Sequence, residues 1–171
     1  MFNHLGTGLL AAALSLPTAL AANNLEFSME EAIEVMRAAG TVLGTESGLE
    51  HAARRCSEHH PDLARPGREV LDAWAVRNEL MLQRSRQLSD MVLRALAERS
   101  GNEFAAHMRQ RLHEDADQHA RELAATVDAD SAEDRYYLCT RMLEGIGQGE
   151  WDFNVENPAV YQVLARDYSP D

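Results

Sequence analysis

Seven histidines and two cysteines are the side chains best suited to hold a metal or act as nucleophiles. His107, His113 and His119 stand at steps of six along one stretch. Each such step turns about 600° on a helix, a net rotation near ~240°, so the three point to different faces and cannot share one ion. Two closer pairs survive, His113 with Asp117 and Asp115 with His119, each four residues apart. Such a pair sets an imidazole and a carboxylate on one helix face, the donor types a divalent metal takes. A third protein ligand is missing, because no His-Glu-x-x-His occurs and no Glu-x-x-His recurs on two helices. The competing reading is ion pairs on a solvated face, and no metal or other cofactor is expected.

Catalytic patterns are equally sparse. All 16 cationic side chains are Arg, with no Lys, which removes Walker A lysines and Schiff-base chemistry. There is no Gly-x-Ser-x-Gly elbow. Gly145-Ile146-Gly147-Gln148-Gly149 spaces its glycines like a phosphate loop, but it closes a helix instead of opening one after a strand. The sequence therefore points away from an enzyme. With 28 acidic residues the formal charge is −12, which opposes nucleic-acid binding and favours a basic partner.

Cys56 and Cys139 are the only cysteines. Their chemistry depends on compartment, and residues 1–22 bear on that. Met1–Ala22 has an apolar run over Leu9–Leu16, a break at Pro17 and the small-x-small pattern Ala19-Leu20-Ala21. This reads as a cleaved signal peptide, although no Arg or Lys precedes the run; a buried N-terminal helix is the alternative. Export to the periplasm, or secretion, predicts a Cys56–Cys139 disulfide. Closing so long a loop would add about 4–5 kcal/mol in the chain-entropy model. Two separate buried thiols are the alternative. The apolar run is shorter than the ~20 residues a membrane span needs, so no stable insertion is expected.

Residues 23–171 read as one all-α domain. Ser28 with Glu31 forms a capping box, and Ala32, Ile33, Met36, Ala39 and Leu43 follow as a stripe. Gly40 and Gly44 are expected to interrupt it, leaving a second segment from Ser47 to His60 that Pro61 stops. A long unbroken helix is expected from Pro66 to Arg99, with Leu71, Trp74, Asn78, Met81, Ser85, Leu88, Val92 and Ala95 along its seam. Further helices are expected over Glu103–Thr126 and Ala132–Ile146, with a short one from Pro158 to Arg166 after the cap Asn157. Together these predict an antiparallel four-helix-type bundle whose first arm is split and whose small C-terminal helix closes one end.

Asn78 and Ser85 fall on the apolar seam, and Asp115 and His119 lie near the next one. Buried polar groups must be hydrogen-bonded. The four residues therefore mark either a small polar ligand site or structural bonds that fix helix register, the latter being the expected role of Asn78. Trp151, Phe153, Tyr161 and Tyr168 concentrate aromatic rings in the tail. They read either as interface anchors or as a plug for the bundle end.

Cys56 with Pro61, Ala73-Trp74 with Arg77-Asn78, and Cys139 with Ile146, Gly149 and Trp151-Asp152 give a pattern over residues 56–152. It resembles small exported helical proteins of proteobacteria that carry one disulfide and no assigned function. That resemblance implies export and a disulfide but transfers no catalytic residue. The format of signal peptide, bundle, one disulfide and acidic surface is also similar to periplasmic immunity proteins that neutralise type VI secretion amidases. No residue motif carries that second comparison, so it is one of architecture. The expectation is a periplasmic protein-interaction protein of inhibitor, immunity or accessory type. A metal- or small-ligand-binding bundle is the alternative.

Overall fold

A computed structural model describes residues 27–168; the expected signal peptide lies outside the described residues. Five principal helices are present, α1 (Met29–His59), α2 (Ala64–Arg77), α3 (Glu79–Ser100), α4 (Asn102–Ala124) and α5 (Ala132–Gln148). Two short ones follow, α6 (Phe153–Glu156) and α7 (Pro158–Ala165). No strand occurs among the described residues.

The first helix begins at the expected capping box. The Glu31 amide donates to Ser28 Oγ at 3.1 Å, and the Ser28 amide donates back to Glu31 Oε2 at 2.8 Å. The helix then runs unbroken for 31 residues, which corrects the split expected at Gly40 and Gly44. Those glycines, with Gly48, are contact points for α4. A methyl group at Gly44 would come within 2.7 Å of the Ala116 carbonyl oxygen, and one at Gly48 within 3.0 Å of Leu123 Cβ. Four-residue spacing puts all three on one face. Across from them lie the small residues Ala116 and Ala120, so the two backbones pack closely. The order of contacts, Gly40 on Leu112, Gly44 on Ala116 and Gly48 on Ala120, makes α1 and α4 parallel. Burial of Val35, Ala39, Val42, Leu49 and Ala52 around it makes α1 the central helix.

The break lies in the second arm instead. The expected single helix from Pro66 to Arg99 is two, α2 and α3, hinged at Asn78 (φ −104°, ψ 8°). Gly101 (φ 90°) then separates α3 from α4. The fourth arm is α5, whose end at Gly149 (φ 82°) is a Schellman turn. The Glu150 amide donates to the Gly145 carbonyl and the Gly149 amide to that of Ile146. Gly145 and Gly147 stay inside α5, which runs to Gln148, two residues past the expected end at Ile146, and Gly149 alone of the glycine run ends it.

The result is an up-down-up-down bundle in which α2 and α3 descend beside α5 and α7 respectively. The second and fourth arms break at the same level. The C-terminal helix lies against α1 and α3 instead of closing an end. It is held by Arg166–Glu34 at 2.7 Å and by Arg84 donating to the Leu164 carbonyl. No described helix is long and apolar enough to cross a membrane. The fully buried Cys56–Cys139 disulfide, spanning 83 residues, joins the end of α1 to the middle of α5.

Candidate functional site

The helical hairpin of α1 and α2 opens into a trough of about 490 Å³. It exists because both helices present small side chains to each other. A methyl group at Gly67 would stand 3.9 Å from Ala53 Cβ, and Ala64 and Ala75 extend the same surface along α2. No large side chain fills the space above these small ones, so a groove stays open along the seam. The floor is Ala53, Gly67, Leu71, Trp74 and Ala75.

Trp74 gives this floor its fixed position. Its ring is buried, its Nε1–H donates to the Trp151 carbonyl at 2.9 Å, and Phe153 meets it edge-on with centroids 5.7 Å apart. That contact belongs to a network joining the breaks of the second and fourth arms. Arg77 donates through Nε to Asp152 Oδ2 at 2.9 Å and through Nη2 to the Ile146 carbonyl at 2.6 Å. Asn78 Nδ2 donates to the Trp74 carbonyl at 2.9 Å and to Asp152 Oδ1 at 3.0 Å. Asn78 Oδ1 accepts the Phe153 amide at 3.1 Å. Trp74, Arg77, Asn78, Ile146, Trp151 and Asp152, six residues of the longer pattern quoted above, meet at one place.

The rim is charged. Glu50 and Arg54 come from α1, Arg68 and Asp72 from α2, and all four are exposed. Each pair has the four-residue spacing of a helical ion pair, yet neither closes: Glu50, Arg54, Arg68 and Asp72 make no side-chain hydrogen bond or ion pair among the described residues. Glu46, further along the rim, is engaged by Arg86. Because the hairpin is antiparallel and Gly67 faces Ala53, the two free arginines sit towards its closed end. The two free carboxylates sit one turn further out. Sequence reasoning missed these four. The available signal was an opposite-charge pair at four-residue spacing on each side of Pro61, flanked by Ala and Gly.

The residues singled out from sequence do not assemble into a site of their own. Asn78 is buried at the arm junction with the partners just named. Ser85 is fully buried and donates to the Leu82 carbonyl of its own helix at 2.9 Å. His119 is half-buried, its Nε2 3.1 Å from Thr45 Oγ1. The Thr45 hydroxyl donates to the Thr41 carbonyl at 2.9 Å, leaving its oxygen to accept from the imidazole. Asp115, His113 and Asp117 are exposed on α4, with Asp115 flanking the α1–α4 seam, its Cβ 3.8 Å from where a methyl group at Gly40 would stand. Asn78 and His119 share no partner, and the bonds of Asn78 are of the structural kind expected of it. No group of three His, Cys, Asp or Glu among the described residues is placed to hold a metal ion.

Of the four aromatic residues of the tail, most pack against the core. Phe153 is buried in the core, and Trp151 is half-buried against it. Tyr168 packs on Phe27 with centroids 5.3 Å apart and donates its hydroxyl to the Val163 carbonyl. Tyr161 alone of the four is exposed, at 36%. These rings are spread along the fourth arm and do not form one anchor patch. No family model, no curated protein and no solved structure matches the chain.

Proposed function

We propose that this chain is a non-enzymatic, exported protein-interaction protein that engages its partner through the trough between α1 and α2. One observation carries the reading: an open apolar floor, fixed by Trp74, lies beneath four charged side chains that the fold leaves unpaired. Ion pairs at helical spacing form elsewhere on this surface, as in Arg65–Glu69. Charges left open around an apolar strip are suited to a partner, with the floor supplying buried area and the rim supplying orientation. The formal charge of −12 steers a basic partner towards the protein. Export is supported by the signal-like residues 1–22, by the disulfide, and by the resemblance to exported single-disulfide proteins.

The test is site-specific photo-crosslinking in the producing cell. A photoreactive side chain replacing Leu71 should give a discrete protein adduct that weakens in about 0.5 M salt, where the Debye length shrinks well below 10 Å. The same probe replacing exposed Gln110 on α4 should give none. No adduct from position 71, or equal adducts from both positions, would overturn the reading.

A further inference from the structure

The arrangement of charge along the trough says what kind of partner segment it fits. Arg54 and Arg68 reach the rim from opposite helices near the closed end of the hairpin, and both guanidinium groups are free among the described residues. Two unpaired guanidiniums on the rim of one trough can bind a carboxylate, each offering planar N–H pairs. Glu50 and Asp72 stand on the rim one helical turn further out, on opposite helices, also free. They suit an ammonium or guanidinium group. Between the two pairs the floor is Leu71, and Trp74 and Ala75 continue it beyond Asp72.

We infer that the trough takes the C-terminal segment of a protein partner. Its terminal carboxylate lies between Arg54 and Arg68, an apolar side chain lies on Leu71, and a Lys or Arg side chain upstream lies between Glu50 and Asp72. This deepens the proposed function and rests on the trough being the interaction site. The dimensions agree. Arg54 to Glu50 is one helical turn, about 6 Å of axis. An extended chain advances ~3.3 Å per residue, so the cation stands roughly two residues before the terminus. A volume of 490 Å³ lies within the ordinary span of binding clefts. The trough is open on its solvent side, which gives the rest of a longer chain a way out. The arginines are the free rim charges nearer the α1–α2 connection, and a terminal carboxylate there ends the bound segment before that connection.

The experiment is calorimetric titration of the mature protein with the peptide Ala-Lys-Ala-Leu as free acid and as C-terminal amide. An eight-residue peptide ending in the same four residues completes the set. The free acid should bind about tenfold more tightly than the amide, the value of one charge-assisted hydrogen-bond pair. The double substitution Arg54→Gln with Arg68→Gln should abolish that preference. Glu50→Gln with Asp72→Asn should instead remove the preference for the Lys peptide over Ala-Ala-Ala-Leu. All four side chains are exposed and unbonded, so unchanged thermal melts are expected for these variants. The octapeptide should bind as well as the tetrapeptide. Equal binding of acid and amide, or an acid preference that survives the double Arg substitution, would overturn the inference. So would loss of binding by the octapeptide, which would make a free short peptide the occupant. A position-71 crosslink without any acid preference would leave the proposed function standing and remove only the terminus.

Discussion

Asn78 Oδ1 accepts the backbone N–H of Phe153 at 3.1 Å, across 75 residues of sequence. One side chain thereby occupies the break in the second arm and satisfies the start of α6 in the fourth. Its Nδ2 closes the other side, donating to Asp152 and, as a second donor beside the Asn78 amide, to the Trp74 carbonyl. Two interruptions that would each weaken a bundle are spliced into one buried joint. Trp74, which floors the trough, is held by the same joint.

Replacing Asn78 by Ala is expected to destabilise the protein by about 2–3 kcal/mol, because the Phe153 amide and Asp152 lose buried partners. Asn78→Asp removes the Nδ2 donor and sets a second carboxylate against Asp152. It should cost at least as much at neutral pH and less in acid, where carboxyl repulsion is relieved. Urea unfolding at pH 7 and pH 4 measures both.

Reduction of the Cys56–Cys139 bond, or a double Cys→Ala substitution, is expected to cost about 3–5 kcal/mol, since the bond closes a loop of 83 residues in the unfolded chain. Both sulfurs are fully buried, so unfolding should be needed before mild reductants act. Thiol release should therefore follow the global unfolding rate, as measured by trapping in increasing urea.

Two glycines on the same helix face should respond oppositely to alanine. At Gly44 the new methyl meets the Ala116 carbonyl at 2.7 Å, a backbone atom that cannot rotate away. Gly44→Ala should cost about 2 kcal/mol through overpacking between α1 and α4. At Gly40 the nearest atom is Leu112 Cδ1 at 3.4 Å, the end of a flexible side chain. Gly40→Ala should be neutral or stabilising by about 0.5 kcal/mol, helix propensity winning. Thermal melts of the two variants decide it.

Burial holds the Tyr168 hydroxyl above its ordinary pKa of 10.0, against the pull of nearby Arg166. The folded protein thus favours the neutral phenol more than the unfolded chain does. The stabilisation is complete below pH 10 and is lost as pH rises through the raised value. Tyr168→Phe should flatten this alkaline decline while losing the bond to the Val163 carbonyl. Denaturant midpoints between pH 8 and pH 11 test the slope.

Much of the fold was legible because helix signals are local. The Ser28–Glu31 box, Asn157-Pro158 and the stop at Pro61 each act within one turn, and each stands where local chemistry puts it. The glycines of α1 were misread for the same reason. In isolation Gly40 and Gly44 weaken a helix, and only the approach of α4 turns them into packing contacts. Asn78 was visible as a polar residue on a seam, yet the hinge there depends on Asp152 and Phe153, which lie more than 70 residues away.

By itself the sequence determined the helical class, the acidic charge, the absence of lysine chemistry and the pair of cysteines available to bond. These follow from composition and from interactions a few residues long. Tertiary structure alone decided which arm breaks, that α1 and α4 lie parallel in close contact, that Phe153 is buried, and that Glu50, Arg54, Arg68 and Asp72 surround one trough. The physical reason is that a backbone approach, a buried hydrogen bond and an unpaired charge are each defined by what another segment brings to them. Periodicity along one helix carries no record of that neighbour.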